Sequence, residues 1–268
     1  RTNFETIRVN NDLAATLTVA NVQASGVDTV RLNTGADTTT GVTGLAGTLN
    51  VQLGGPLEGL FTMTDTGSAT DDVANITSVA ATSQDLGAGF AITSTGYETL
   101  NISTTVTGAA IKQDYGAIIV TPDTGGTATL NFTGTNIADI GGTITADVID
   151  ASGMTARALT GVTFDMTGQA AESRATTLTV TGSAGSDIIV GDANEVNTIT
   201  GGAGNDNITA GSAADTINGG DGVDTINGAA GNDTITGDAG NDIITSGAGN
   251  DNITAGAGDD TVIMGANL

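Results

Sequence analysis

The chain has 268 residues, 38% of them apolar and only 3% aromatic, and 30 acidic against 6 basic residues give it a formal charge of -24 at pH 7. This balance argues against nucleic acid and anionic membranes as partners, because both bind basic surfaces. The sequence contains no cysteine and no histidine, which excludes disulfides, thiolate metal sites and histidine-based catalysis. Cations are the partners that the charge favours.

The first 180 residues contain short runs in which Thr or Asn alternates with Val, Ile or Leu. This alternation is typical of half-buried strands, and no window has the periodicity of an amphipathic helix. The predicted strands cover residues 5–9, 15–20, 28–33, 47–53, 90–95, 97–104, 128–134 and 175–182. An all-β domain is therefore expected over residues 1–180. Its loose repetition favours a β-solenoid, and a β-sandwich is the alternative.

From Gly182 onward the chain divides into nonapeptides, of which GGAGNDNIT (201–209) and GGDGVDTIN (219–227) are the most regular. The first six residues suit a tight turn, and the last three suit a short strand that buries one apolar side chain. Two units back to back close an 18-residue coil. Stacked coils should form a narrow core of Ile189, Ile199, Ile208, Ile217, Ile226, Ile235, Ile244, Ile253 and Val262.

Each regular nonapeptide has an aspartate at its sixth position. Alternate units lie on the same side of such a coil, which predicts one column of Asp206, Asp224, Asp242 and Asp260 and a second of Asp215, Asp233 and Asp251. Neighbouring strands lie roughly 4.8 Å apart, and two bare carboxylates at that distance repel by about 3 kcal/mol at an effective dielectric near 20. A cation between coils would remove this repulsion.

Calcium fits these columns best. It accepts oxygen ligands in flexible geometry, whereas magnesium demands a stricter octahedron, and softer metals prefer the absent Cys and His. We therefore expect several Ca²⁺ ions, held by carboxylates and by glycine-rich turns. The predicted metal-site residues are Asp187, Asp206, Asp215, Asp224, Asp233, Asp242, Asp251, Asp260, Gly201, Gly204, Gly219, Gly222, Gly231, Gly240, Gly249 and Gly258.

Residues 182 to 263 resemble the calcium-binding nonapeptide array of the RTX (repeats-in-toxin) family, whose pattern is Gly-Gly-x-Gly-x-Asp-x-apolar-x. The resemblance implies a right-handed parallel β-roll over residues 181–268, calcium between turns on both sides, and export by type I secretion. Asn197 replaces the aspartate in a ten-residue unit, so the first coil is expected to bind calcium weakly or not at all. The units that begin at Ala210, Ser246 and Ala255 lack the first glycine.

Thr-rich β repeats that lead into an RTX array resemble calcium-dependent surface-layer proteins of Gram-negative bacteria. This resemblance implies a structural protein of the cell surface that associates with itself into a lattice. An anchor to surface polysaccharide is expected through segments outside this chain, without nucleic-acid binding or membrane insertion. A start at Arg1 and an end soon after the last repeat favour a fragment of a longer protein.

Two other functions are compatible with the sequence. The first is a segment of a long type I-secreted adhesin, and the second is the calcium-binding tail of a secreted enzyme. The sequence contains no GxSxG motif, and its single lysine, Lys112, has no SxxK context. We therefore expect no catalytic activity in this chain.

Overall fold

The structure is a computed structural model that describes residues 6–9, 17–18, 29–32, 40–45, 48–53, 60–65, 72–78, 91–103, 112–115, 117–121, 126–134, 137–140, 144–154, 163–165 and 177–265. The chain divides into two compact units, Arg1–Ala146 and Asp147–Leu268. The change of repeat type expected at residues 180–181 falls inside the second unit, and a domain boundary at that point stays a prediction.

The described part of the first unit consists of strands, without a helix. In chain order these are β1 Thr6–Val9, β2 Leu17–Thr18, β3 Thr29–Leu32, β4 Thr40–Leu45, β5 Thr48–Leu53, β6 Leu60–Asp65, β7 Val73–Ser78, β8 Ala91–Thr95, β9 Thr99–Ser103, β10 Lys112–Tyr115, β11 Ile118–Thr121, β12 Thr129–Gly134, β13 Ile137–Ile140 and β14 Ile144–Thr145.

These strands pair in parallel and in the order that stacked coils require. One sheet of the first unit has the order β1-β3-β5-β7-β9-β12, a second has β14-β11-β8-β6-β4-β2, and β10 pairs with β13. Successive strands of one sheet are separated in sequence by a strand of the other, for example β8 between β7 and β9. Each turn of chain therefore contributes one strand to each of the first two sheets, and two of the later turns add β10 and β13 to a third, which is the topology of a β-solenoid.

Asparagines stack along the first unit in strict register. Asn50, Asn75, Asn101 and Asn131 are partners across β5, β7, β9 and β12. Each side-chain amide donates to the Oδ1 of the preceding asparagine, at 2.9 Å from Asn75, 2.8 Å from Asn101 and 2.8 Å from Asn131. The intervals of 25, 26 and 30 residues give the coil lengths. We call these four residues the asparagine ladder.

The core of the first unit is thick enough to hold aromatic side chains. Phe61, Met63, Tyr97 and Phe132 are fully buried there, among aliphatic residues such as Ile102. Long coils enclose the width that such side chains need. This core differs from the thin aliphatic one that follows.

The described part of the second unit also lacks helices. Its strands are β15 Val148–Met154, β16 Thr163–Asp165, β17 Thr177–Thr181, β18 Ile188–Val190, β19 Val196–Ala203, β20 Asn207–Thr209, β21 Thr216–Asp221, β22 Thr225–Asn227, β23 Thr234–Ala239, β24 Ile243–Thr245, β25 Asn252–Thr254 and β26 Thr261–Ile263. They form two parallel sheets, β15-β17-β19-β21-β23-β25 and β16-β18-β20-β22-β24-β26. Residues 182–265 are called the roll below.

The core of the roll is a single file of isoleucines from the two sheets. Seven of the nine predicted core residues are almost fully buried, namely Ile189, Ile199, Ile208, Ile217, Ile226, Ile235 and Ile244. Ile253 is only half-buried. The expectation that Val262 is a core residue was wrong, because this side chain is 40% exposed. It lies on β26, the terminal strand of its sheet, where no further described strand covers it.

The all-β, parallel fold predicted from the sequence is confirmed. Every one of the eight predicted runs coincides with a strand, from β1 to β17. Strands such as β4, β6 and β11, which belong to the second sheet of the first unit, were not predicted. Without them the coil length was not apparent, and this left the sandwich open as an alternative.

Candidate metal centre

Backbone hydrogen bonds connect the aspartates of the roll into two columns. In the first, the N–H groups of Asp187, Asp206, Asp224 and Asp242 each donate to the Oδ1 of the next aspartate, which ends the column at Asp260, over 2.8–2.9 Å. In the second, the N–H groups of Asn197, Asp215 and Asp233 donate to Asp215, Asp233 and Asp251. Most steps span 18 residues, so one step is one coil.

The second carboxylate oxygen, Oδ2, differs from Oδ1 in its hydrogen bonding. The Oδ2 atoms of five aspartates are buried and accept no hydrogen bond from any described residue. They belong to Asp206, Asp224, Asp233, Asp242 and Asp251. A buried acceptor without a partner destabilises the fold by about 1–3 kcal/mol when it is neutral and by more when it is charged. Each of these oxygens therefore requires a proton, a hydrogen-bond donor or a cation.

A backbone carbonyl of the next coil converges on the same place as these oxygens. A Cβ added to Gly219 would lie 2.5 Å from Oδ2 of Asp224 and 2.9 Å from the carbonyl oxygen of Gly237. At Gly228 the corresponding atoms are Oδ2 of Asp233, at 2.7 Å, and the carbonyl oxygen of Ser246, at 2.5 Å. The first glycine of the nonapeptide thus leaves open a cradle lined by two oxygens.

The glycine at the fourth position of the nonapeptide allows close approach between coils. Gly222 has a φ of 138°, and a Cβ there would collide with the carbonyl oxygen of Gly204 in the preceding coil. Only glycine meets both demands. The second position is less strict, because Ala229 and Asp238 adopt a φ of 67° there.

Burial shifts the acidity of the column residues. Burial raises the pKa of Asp206 to about 7 and of Asp233 to about 6, and the pKa of Asp224 is raised as well. Backbone N–H donors oppose the shift, while neighbouring column carboxylates add to it. Without a cation, the folded roll therefore disfavours the charged form of these three carboxylates.

The beginning of the second column is closed by an amide. Asn197 accepts from the N–H of Asp192 at 3.0 Å, and its side-chain nitrogen lies 3.0 Å from Oδ1 of Asp215. The other oxygen of Asp215 accepts the N–H of Gly211 at 3.0 Å. Asp215, although predicted as a ligand, thus already has protein donors on both oxygens.

The predicted site residues occupy two kinds of place in the roll, the aspartate columns and the glycine turns. All eight aspartates lie in the two columns, while the predicted glycines occupy the first position (Gly201, Gly219) or the fourth (Gly204, Gly222, Gly231, Gly240, Gly249, Gly258) of their turns. Sequence reasoning missed Gly228 and Gly237, which also form cradles. Their position at the start of the nonapeptide was the signal that could have identified them.

Asparagines beside the columns form a further link between coils. The Oδ1 atoms of Asn205, Asn232 and Asn241 each accept a backbone N–H of the next coil at 2.9 Å. These residues occupy the fifth position of the nonapeptide, next to the column aspartate. They stabilise the turns but leave the cradle oxygens of the aspartates untouched.

Comparison with known families agrees with this geometry. The family model described as RTX calcium-binding nonapeptide repeat (4 copies) matches residues 179–195, 194–226 and 227–262. Residues 179–262 are an RTX calcium-binding repeat array. The match covers the roll as far as residue 262 and leaves the first unit and residues 147–178 unassigned. Neither the curated proteins nor the solved structures contain a match to the chain.

RTX repeats bind Ca²⁺ ions, and the roll provides groups that fit this ion. No group of three or more acidic side chains that could hold a metal occurs in the described residues. A site in this roll therefore has to combine a carboxylate oxygen with backbone carbonyls, a mixture that calcium accepts readily. The aspartates with an unpartnered Oδ2 would hold the ion. When bound, it would supply the positive charge that the columns lack.

The repeats indicate a calcium-binding secreted protein of the RTX type. Proteins with such repeats are typically extracellular. Among the described residues, no helix is both long and apolar enough to cross a membrane.

Proposed function

We propose that this chain is a non-catalytic structural protein of the bacterial cell surface. In this proposal it leaves the cell by type I secretion, folds on calcium outside, and assembles laterally into a surface layer. The observation that carries the proposal is the pairing of unpartnered column oxygens with a scaffold made of parallel coils in both units. Such a scaffold offers long regular faces for self-association, and its calcium-binding coils become rigid only where calcium is available.

Calcium provides the switch between export and assembly. Each cradle uses oxygens from two adjacent coils, so its ligands are apart in the unfolded chain, and binding and folding become one event. Extracellular calcium modules typically work at about 10⁻⁴ to 10⁻³ M. The coils of the roll that carry the unpartnered oxygens, from residue 201 onward, should stay unfolded at the lower calcium concentration inside the cell and fold outside it.

A non-catalytic role agrees with the chemistry of the chain. The absence of histidine removes the usual proton-transfer group and the histidine ligands of catalytic zinc. One carboxylate oxygen of Asp224 and of Asp233 accepts a hydrogen bond from a neighbouring coil, and the other is the proposed calcium ligand. Self-association is the proposed partner chemistry, together with a polysaccharide anchor through segments outside this chain.

Negative-stain electron microscopy of the purified chain tests this function. Samples in millimolar calcium are compared with samples in a chelator and in the same concentration of magnesium. The proposal expects ordered sheets in calcium alone. Dispersed but folded particles in calcium would contradict lattice formation by this chain and favour a segment of a type I-secreted adhesin. Hydrolytic activity in the same sample would favour the tail of an enzyme.

A further inference from the structure

The first coil of the roll, residues 182–200, differs from the coils that follow. The position of the column aspartate is occupied here by Asp187 in the first column and by Asn197 in the second. Neither Asp187 nor the next residue of the second column, Asp215, is among the aspartates whose Oδ2 lacks a donor. The unpartnered oxygens begin only at Asp206.

Ser183 satisfies Asp187 from within the same turn. Its backbone N–H donates to Oδ2 of Asp187 at 2.6 Å, and its hydroxyl lies 2.9 Å from Oδ1 and 3.1 Å from Oδ2. The hydroxyl oxygen also accepts the N–H of Gly185 at 3.1 Å. In the most regular nonapeptides this position is glycine, as at Gly202 and Gly220, which brings no hydroxyl.

Asn197 performs the same task in the second column. Its side-chain nitrogen contacts the carbonyl oxygens of Asp192 and Glu195 and Oδ1 of Asp215, each at 3.0 Å. In this turn the three atoms nearest to a Cβ added at Gly191 are Cγ, Oδ1 and the side-chain nitrogen of Asn197, at 3.0–3.2 Å, and no backbone carbonyl is among them. An amide can donate where a carboxylate can only accept, so this turn contains its own positive hydrogens.

We propose that Ser183 and Asn197 close the first coil of the roll without calcium, so that this coil forms first and is the template on which the calcium-dependent coils stack. The inference rests on the proposed calcium-dependent folding. In a solenoid each repeat contacts only its neighbours, so folding can begin at one coil and propagate. A coil that needs no ion provides the start, and calcium then adds coils from residue 201 towards residue 265.

Hydrogen exchange of the full chain, with peptides resolved along the roll, tests this order. In a chelator the amides of β18 and β19 should be protected while those of β22 to β26 exchange freely. Rising calcium should then extend protection from β20 towards β26. The inference is overturned if β18 and β19 exchange as freely as β26 in the chelator, or if all strands gain protection at one calcium concentration.

The substitution Asn197→Asp converts the amide into the consensus ligand. It should remove the protection of β18 and β19 in the chelator, restore it in calcium, and raise the calcium stoichiometry by one ion per chain. Loss of a buried hydrogen-bond donor of this kind should speed exchange there by about tenfold or more. Asn207→Asp is the matched control, because Asn207 is exposed and gains the same charge. If Asn197→Asp behaves like Asn207→Asp, the inference fails.

Ser183→Ala provides a second and independent variant. It removes the hydroxyl from Asp187 without adding charge, and we expect faster exchange of β18 in the chelator and tighter calcium binding at Asp187. If Asn197→Asp does not fold even in calcium, Ser183→Ala still tests the inference. Unchanged exchange of β18 in Ser183→Ala would overturn it. Calcium-dependent folding of the parent chain without ordered sheets would contradict the proposed function and leave this inference standing.

Discussion

The asparagine ladder and the aspartate columns stack polar side chains along parallel coils by opposite means. In the ladder every amide donates to one neighbour and accepts from the other, so Asn75 and Asn101 need nothing from outside the protein. In the columns a carboxylate accepts one backbone N–H and has no proton for the next coil. One missing hydrogen per residue separates a stack that closes on itself from one that requires a cation.

The two stacks also differ in what surrounds them. The ladder lies on coils of 25 to 30 residues over a core with Phe61 and Phe132. The columns lie on 18-residue coils whose core is one isoleucine per strand, such as Ile217. Less apolar burial per coil leaves less hydrophobic stabilisation. The roll is therefore the region where a bound ion changes the balance between folded and unfolded chain.

Removal of calcium should separate the two regions most strongly. In excess chelator we expect the later coils of the roll, from β22 to β26, to lose their strands, because several buried carboxylates lose their counter-charge at once. The strands that carry the asparagine ladder should remain. Limited proteolysis followed by mass spectrometry measures this difference, with cleavage expected within residues 219–265. Equal cleavage of both regions in the chelator would contradict the claim that only the roll depends on calcium.

Substitution of one column aspartate should have the next largest effect. Asp224→Asn retains the acceptor for the N–H of Asp206 but removes the charge of a cradle. We expect calcium binding at the adjacent sites to weaken by about tenfold or more, since ligand charge tunes affinity. Titration calorimetry measures it. Asp221→Asn is the control, because Asp221 is exposed and lies outside the columns. Equal effects of the two variants would show that overall charge, and not the column, determines binding.

Acidification should lower the calcium requirement for folding through the same carboxylates. Burial raises the pKa of Asp206 from 3.8 to about 7, so its charge costs the fold nothing below about pH 3.8 and costs most above about pH 7. Between pH 7.5 and pH 5 the unfolded chain and the calcium-bound roll both keep this carboxylate ionised, whereas the calcium-free roll takes up a proton and is stabilised. The calcium concentration at half-folding should therefore fall, by up to about tenfold, between pH 7.5 and pH 5. A midpoint that rises on acidification, measured by circular dichroism, would contradict the raised pKa values.

Breaking the asparagine ladder should have a smaller effect that calcium does not change. Asn101→Ala removes one donor and one acceptor and leaves Asn75 and Asn131 with one partner fewer. We expect the first unit to lose about 1–3 kcal/mol of unfolding free energy. Denaturant unfolding in calcium and in chelator measures it. Rescue of this variant by calcium would mean that the ladder and the columns do not differ as described.

The smallest expected effect concerns backbone strain in the roll. Ala229 has a φ of 67°, a conformation that costs a residue with a Cβ about 1–2 kcal/mol. Ala229→Gly should relieve it and stabilise the roll by about 0.5 kcal/mol after the entropy cost of glycine. Ala230→Gly, at a neighbour outside the positive-φ region, should instead destabilise it by about 0.5–1 kcal/mol. Thermal unfolding of the two variants measures both effects. A stabilising Ala230→Gly would contradict the assignment of backbone strain to Ala229.

The sequence was most informative where the repeat is short and strict. A period of nine predicted the placement of Ile208 and Ile226 in the core and of Asp206 and Asp224 in one column, because both depend on residue spacing alone. The coils of the first unit vary from 25 to 30 residues, so no fixed period marked Asn50 and Asn131 as partners. The donors on Asp187 and Asp215 depend on side-chain orientation within a turn, which spacing does not determine.

A crystal structure of the chain grown in millimolar calcium would show whether the column aspartates bind the ion. We expect ions within 2.3–2.6 Å, the usual calcium–oxygen distance, of the Oδ2 atoms of Asp206, Asp224, Asp233, Asp242 and Asp251. We expect no ion at Asn197, whose side-chain nitrogen already contacts Oδ1 of Asp215. Ions elsewhere in the roll, with these five oxygens still unligated, would contradict calcium binding by the aspartate columns.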